Sequence, residues 1–453
     1  MNLPINQIVC GDCLEVMKDY PDNSFDACIT DPPYKLGFMD EVWDKSGITY
    51  KVVLWREVLR ILKPGGHLLS FGGSRTYHRM VCAIEDAGFE IRDMVEWIYG
   101  SGFPKSLDIS KAIDKQAGMK RKIIGRRTDR AATLKCDIRG NRLIGRDRPL
   151  IDLSAITRPV MPEAKQWEGW GTALKPAHEP ICLARKPLSE KTVARNILKW
   201  GTGGINIDDC RIPIDIKKSS SNFKNTPYGT DDFSLPLSPQ KTNKRPVDNY
   251  HLLSRQHNYQ DRFPANLIHD GSAEVLEIFP DARGQQGCTN DNQRTKVNYY
   301  DKFSKNGNYQ YEPRDDSGSV ARFFYCAKVS KGEREAGLEK TKLKQRGQRY
   351  GSMTGTSKHA PHKNEPQHNN HPTVKPLTLM SYLLKLITPP DGIVLDMFAG
   401  SGSTLMAAKW LGYRFVGIEI SKNYCKIARQ RLNFINTISL MKAVRDFSLV
   451  ART

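Results

Sequence analysis

An interrupted alternation constrains the fold of this chain more than any single motif. The first hundred residues alternate strand and helix signals: "QIVC", "FDACIT", "HLLSFGG" and "FEIRDMVEWIY" read as strands. Between them "YKVVLWREVLRIL" has helical spacing, with Val53, Trp55, Val58, Leu59 and Leu62 apolar, and "KPGG" ends it. "RTYHRMVCAIEDAG" reads as a helix stopped at Gly88. The alternation then breaks, and it returns in "LTLMSYLLKLI", "GIVLDMF", "STLMAAKWLG", "YRFVGIEI" and "KNYCKIARQRL". The economical reading is one α/β sheet, helices on both faces, built from both ends of the chain. An insertion projects from it.

The middle is basic and polar. From Lys120 to Arg148 eleven basic side chains face three acidic ones, and the whole chain of 453 residues carries a formal charge of +20. A balance of this kind calls for a polyanion, nucleic acid first. "HEPICLARKP" reads as one more strand, and the pieces "GGINIDDCRIP" and "RFPANLIHDG" punctuate a long stretch rich in Asn, Ser, Pro and Tyr. No run is long and apolar enough to span a bilayer, and "MNLPINQIVCGDCLEVMKD" lacks a signal peptide's pattern. The expectation is a cytoplasmic protein that makes no use of a membrane. Cys10 and Cys13 have no second pair at zinc spacing, and His359, His362, His368 and His371 sit among Asn, Gln and Pro, so no metal site is expected. Trp167 and Trp170 are expected to pack and anchor the insertion.

Two stretches carry chemistry. In "FDACITDPPYKLGF" a strand runs into Asp31-Pro32-Pro33-Tyr34. Two prolines stop a sheet ladder and stiffen a loop that presents one acid, carbonyls and a flat ring. Such a set suits a planar ligand bearing an amino group. In "VLDMFAGSGSTLMAA" an apolar strand ends at Asp396, turns through Gly400 and Gly402, and enters a helix at Ser403-Thr404. That is a ligand loop at the carboxyl end of a parallel strand. No Gly-Lys-Ser/Thr follows, and Leu405 stands where a dinucleotide loop has its third glycine. Glu419 ends the next strand, 23 residues after Asp396, where an acid commonly binds a ribose. A ribose with little phosphate fits S-adenosylmethionine.

"DPPY" with "DMFAGSGST" resembles the SAM-dependent DNA amino-methyltransferases, which act on N6 of adenine or N4 of cytosine. The order, catalytic motif first, then the insertion, "HPTVKP" and the glycine loop, is similar to their circularly permuted β group, found in bacteria and their phages. The resemblance covers both ends and parts of the middle, including "GWGTALKPAHEPI" and "ARFFYCAKVSKGERE"; residues 215–262 and 284–316 resemble no part of it. Met397 and Ser403 depart from the family's usual Pro and Thr. The resemblance implies a Rossmann-like class I methyltransferase fold with a large basic target-recognition insertion. Its parts are the catalytic domain at 1–104, a basic insertion at 105–171, a catalytic-sheet strand at 172–187, and a target-recognition insertion at 188–335. A flexible loop at 336–370, the cofactor-binding part at 371–435 and a tail at 436–453 follow.

It also implies roles. Asp31, Pro32, Pro33 and Tyr34 hold the target base. Asp396, Phe398, Ala399, Gly400, Ser401 and Gly402 line the methionine half of the cofactor, Glu419 its ribose and Asp12 its adenine, although Asp12 also suits a helix cap. Lys375 lies near the cofactor's carboxylate. Arg126, Arg127, Arg130, Arg139 and Arg142 meet the phosphates of double-stranded DNA, from which the base is flipped. Asp at the first motif position goes more often with adenine, so adenine N6 is the expected target and cytosine N4 the alternative. A C5-cytosine enzyme is excluded on its thiolate, since none of the ten cysteines follows a proline. An RNA substrate and a non-catalytic DNA-binding protein are the readings from other classes. The permuted group often forms homodimers, though no interface is legible here. Any cognate restriction endonuclease is a separate chain.

Overall fold

The structure is a computed structural model that describes residues 3–35, 46–102, 106–126, 135–137, 150–152, 155–213, 261–283, 317–327, 331–338, 368–369, 371 and 373–435. Its centre is a nine-stranded sheet. In chain order the strands are β1 (Gln7–Cys10), β2 (Phe25–Thr30), β3 (Leu62–Phe71), β4 (Glu90–Ile98), β5 (His178–Arg185), β6 (Leu267–His269), β7 (Tyr325–Cys326), β8 (Ile393–Asp396) and β9 (Arg414–Glu419). In space they run β1-β9-β8-β2-β3-β5-β4-β6-β7. Every neighbouring pair is parallel except the two made by β5. Both ends of the chain therefore build one sheet, with the late strands β8 and β9 inserted between β1 and β2.

The alternation of side chains explains why helices cover both faces. On one face Ala27, Ile29, Leu69, Phe71, Ile181, Leu183 and Val394 pack with the helices Leu377–Ile387 and Ser403–Trp410. On the other, Cys28, Leu68, Cys182, Ala184, Leu395 and Val416 pack with Cys13–Lys18, Val52–Ile61 and Tyr77–Asp86. Strands buried on both faces read as the near-continuous apolar runs seen in the sequence. The helix Leu377–Ile387 is buried at ten of its eleven positions.

Three sequence expectations change in detail. Val53 is 51% exposed, and Leu54 faces the core in its place. "KPGG" does not separate helix from strand: the helix ends at Ile61, and β3 begins at once with a wide irregularity. Phe25 pairs with Leu62 and Ala27 with His67, so "KPGG" bulges out of the ladder. Gly65 there has φ +82°, and a Cβ on it would stand 2.5 Å from Asn196 Nδ2. Thirdly, β6 and β7 lie within 188–335, which the sequence assigns wholly to an insertion. Strands of three and two residues are too short to display periodicity. The described ends of the 336–370 loop are packed as well, with Ala336, Leu338 and Asn369 buried.

Arg126 closes the strand Lys122–Arg126, which pairs antiparallel with Ala155–Arg158. Arg127, Arg130, Arg139 and Arg142 lie outside the described residues, as do His359 and His362. Among the described residues no helix is long and apolar enough to cross a membrane. Gly65→Ala is expected to lower stability by about 1–3 kcal/mol, the cost of a strained backbone position, read from the urea midpoint.

Candidate active site

β2 and β8 are adjacent and parallel, and the chain leaves them in opposite directions, β2 toward β3 and β8 toward β9. A crevice opens beyond the carboxyl ends of strands at such a reversal. Both sequence motifs end there. The Thr30 hydroxyl, last in β2, donates to Asp396 Oδ1, last in β8, at 3.0 Å in the buried floor. Asp396 also accepts from Phe398 N at 3.2 Å and from the Thr404 hydroxyl. Burial raises its carboxyl to about 7 despite these donors, which pull the other way.

On the β8 side, Gly400 and Gly402 have φ +52° and +81°. Gly402 N donates to Ala399 O at 2.7 Å, and Ala399 N to Ile418 O at 2.9 Å, which ties the loop to β9. The buried Arg431 guanidinium holds the Ser401 carbonyl at 2.7 Å and its hydroxyl at 3.1 Å. Glu419 accepts Gly400 N at 2.9 Å on one oxygen and Ser421 N at 2.7 Å on the other. Burial raises its pKa, against the pull of those amides. With the Ile420 amide as a third donor, the carboxylate still has acceptor capacity for a ligand hydroxyl. Asp12 caps the helix Cys13–Lys18, accepting Leu14 N at 2.9 Å through Oδ1. It stands just beyond the end of β1, which pairs with β9, and the cap uses one of its oxygens.

On the β2 side the proline loop is held along its length. Thr49 Oγ1 donates to Pro33 O at 2.7 Å, and the Tyr50 hydroxyl and Thr76 Oγ1 donate to Tyr34 O at 2.8 and 3.0 Å. The Tyr34 hydroxyl donates to Asp31 Oδ1 at 2.6 Å and lies 3.3 Å from Glu179 Oε2. Burial first, and then Asp31, push that phenol well above its usual range. Lys375 Nζ reaches Asp31 Oδ2 at 2.6 Å and Glu179 Oε2 at 3.0 Å. Burial disfavours a charged ammonium, but Asp31 and Glu179 outweigh it and keep the lysine protonated.

Asp31, Tyr34, Asp396, Phe398 to Gly402, Glu419 and Lys375 thus gather around one crevice. Lys375, expected beside the cofactor's carboxylate, has its ammonium on the Asp31 side. Three contributors were missed. Glu179 is an acid at the start of a strand that is otherwise buried, a signal that was available. Thr30 gave none. His371 was assigned no role, yet its ring meets Tyr424 at 4.5 Å, and a Cβ on Gly400 would stand 2.6 Å from its Nε2. Burial, then Arg334, Lys375 and Arg431, push His371 down to about 3, so it is a neutral imidazole. Trp167 and Trp170, expected to pack, are 38% and 59% exposed and meet edge to face.

A sequence model of the N6/N4 DNA methylase family matches residues 25–430. Among individual proteins, the type II methyltransferase M.HindIII of Haemophilus influenzae is 50% identical over 62 residues, 14% of this chain and 20% of that protein. The DNA adenine methyltransferase YhdJ of Escherichia coli K12 is 42% identical over 67 residues, 15% of this chain and 23% of that protein. The matches to such curated relatives cover 20% to 34% of their lengths. The solved M1.HpyAVI–SAM complex aligns over 94% of this chain and 98% of its own, at 16% identity and a TM-score of 0.37.

Asp396 sets a pH signature. Its folded pKa of about 7 lies above the ordinary 3.8, so the native state holds a proton that the unfolded state has released. Its contribution is complete below about pH 4 and is lost as pH rises to about 7. Asp396→Asn removes that loss, so the variant's stability relative to wild type is expected to improve between pH 4.5 and pH 8. Urea unfolding of both proteins at the two pH values checks this.

Proposed function

The chain belongs to the N6/N4 DNA methylase family, and from that premise we propose that it is a site-specific methyltransferase acting on N6 of adenine in double-stranded DNA with S-adenosylmethionine. The observation that carries the reading is the Thr30–Asp396 bond, which sets the acceptor loop and the glycine loop on neighbouring parallel strands. A group bound by one loop faces a group bound by the other.

The donor set suits this cofactor. The glycine loop has no lysine for a phosphate chain, its two glycines adopt positive φ, and a buried carboxylate, Glu419, stands at the end of the next strand. Asp396, Phe398, Ala399, Gly400, Ser401 and Gly402 form the wall for the methionine half, Glu419 the ribose contact and Asp12 the adenine contact. When bound, the cofactor supplies an electrophilic methyl group on a sulfonium. The chain's own part is to prepare the nucleophile. An exocyclic amine is weak because its lone pair is delocalised into the ring. Asp31 and the Pro32 carbonyl accept its two N–H groups, which favours a pyramidal nitrogen with its lone pair turned to the methyl. Pro33 stiffens the loop, and Tyr34 offers the base a face. The chain order, with the β2 motif ahead of the β8 motif although the two strands are neighbours, supports the permuted β group.

Adenine is favoured by Asp31 at the first motif position and by the likeness to YhdJ. The likeness to M.HindIII favours a type II restriction-modification setting in the bacterial cytoplasm, with any endonuclease a separate chain. The basic segment around Arg126, Arg127, Arg130, Arg139 and Arg142 supplies phosphate contacts that hold the duplex while the base is flipped.

Asp31→Ala is expected to keep calorimetric SAM affinity and to lose methyl transfer by roughly 10²–10³-fold, as removal of transition-state hydrogen bonding does. Nucleoside mass spectrometry of plasmid DNA from a methylation-free host expressing the chain should give N6-methyladenine. N4-methylcytosine would overturn the choice of base, and the absence of both marks the function itself. Replacing Arg126, Arg127 and Arg130 with Gln is expected to weaken DNA binding most at low salt. The dependence of log K on log salt should become shallower by roughly 0.9 for each phosphate that is no longer neutralised.

A further inference from the structure

Glu179, Lys375, Asp31 and Tyr34 close a ring of polar contacts. Asp31 Oδ2 meets Lys375 Nζ at 2.6 Å, the same Nζ meets Glu179 Oε2 at 3.0 Å, Glu179 Oε2 lies 3.3 Å from the Tyr34 hydroxyl, and that hydroxyl meets Asp31 Oδ1 at 2.6 Å. We propose that Glu179 and Lys375 are paired positioning residues for Asp31, acting on the target-base side of the crevice, and that Lys375 is not a cofactor ligand. The inference rests on the methyl-transfer reading above and assigns roles within it.

Three separate elements hold the ring. Asp31 follows β2. Glu179 is the second residue of β5, and its height is set by pairing with Trp97 of β4. Lys375 stands immediately before Pro376, the cap of the helix Leu377–Ile387. The lysine is 8% exposed, and its ammonium lies 4.9 Å from the centre of the Phe71 ring and 5.8 Å from that of Tyr34. Both oxygens of Asp31 are gripped from opposite sides, by a phenol and an ammonium. Rotating the carboxylate would break two short bonds at once, one of them charge-assisted. Each oxygen keeps a second lone pair, so the grip orients Asp31 without using it up.

The charge count gives Glu179 its purpose. An Asp31–Lys375 pair alone would be neutral, with a cation beside the amine. Positive charge develops on that amine as the methyl group arrives, and a neighbouring ammonium would oppose it. Glu179 gives the cluster one surplus negative charge, which favours the developing cation. The other groups facing Lys375 do not cancel this. The Tyr34 phenol stays protonated, the Tyr99 phenol bonds Glu179, and His371 is a neutral imidazole.

The test uses the full chain with duplex DNA at saturating SAM. Wild-type turnover is the control: no methylated product from wild type sinks the proposed function, whereas product from wild type and an undiminished Glu179→Gln sinks this inference alone. Glu179→Gln and Lys375→Met are each expected to lower kcat by tenfold or more. Calorimetric SAM affinity and the KM for DNA should stay within threefold, with unchanged circular dichroism. The double variant should lose no more than about the worse single variant, because the two side chains act as a unit. Glu179→Asp and Lys375→Arg should recover part of kcat, and they carry the test if Lys375→Met fails to fold. A tenfold loss of SAM affinity in Lys375→Met with kcat preserved would return the lysine to the cofactor. Fully multiplicative losses would dissolve the pairing.

Discussion

The hydrogen bond from Thr30 to Asp396 joins residues 366 positions apart in the chain, in the buried floor of the crevice. It exists because β2 and β8 pair directly and in parallel, Val394 with Ala27 and Leu395 with Cys28. A slip of one residue would turn every inward side chain of β8 to the opposite face. The register is therefore fixed by the two apolar layers. Val394 belongs to one layer and Leu395 to the other. The heights of Asp31 and of the glycine loop follow from that packing, and so does the separation between whatever the two loops hold.

Above this floor the site is built from groups that are costly to bury and must satisfy one another. Lys375 is charged inside the protein only because two carboxylates meet it, and Asp31 is held only because Lys375 and Tyr34 meet it. Glu419 and Asp396 stand in a similar position on the other wall, each taking backbone N–H groups from the loop it supports. His371 and Lys375, four positions apart in the chain, each meet one wall, the imidazole against Gly400 and the ammonium against Asp31.

Much of the frame was legible. The helices Leu377–Ile387 and Tyr77–Asp86 and the strands β2, β4, β5, β8 and β9 are where spacing and punctuation put them, because their burial patterns repeat along the chain. The short edge strands β6 and β7 were not legible. Two or three residues cannot display a period: β6 joins the sheet at the edge that β4 offers, and β7 adds to the edge that β6 then offers. "KPGG" was read as a turn because glycine and proline punctuate; in place, it is a bulge within a continuing strand.

The sequence by itself determined the chemistry available. It contains an acid, two prolines and a ring at one strand end, a glycine loop without a phosphate-binding lysine at another, and a basic middle. Those are properties of local order, and local order is written in neighbouring residues. Tertiary structure decided which groups act on which. It set Glu179 beside Tyr34, placed Lys375 against Asp31 and brought His371 over Gly400. No spacing in the chain encodes those meetings. They depend on which strands pair and in what register, and that is settled by burying two apolar layers across the whole sheet.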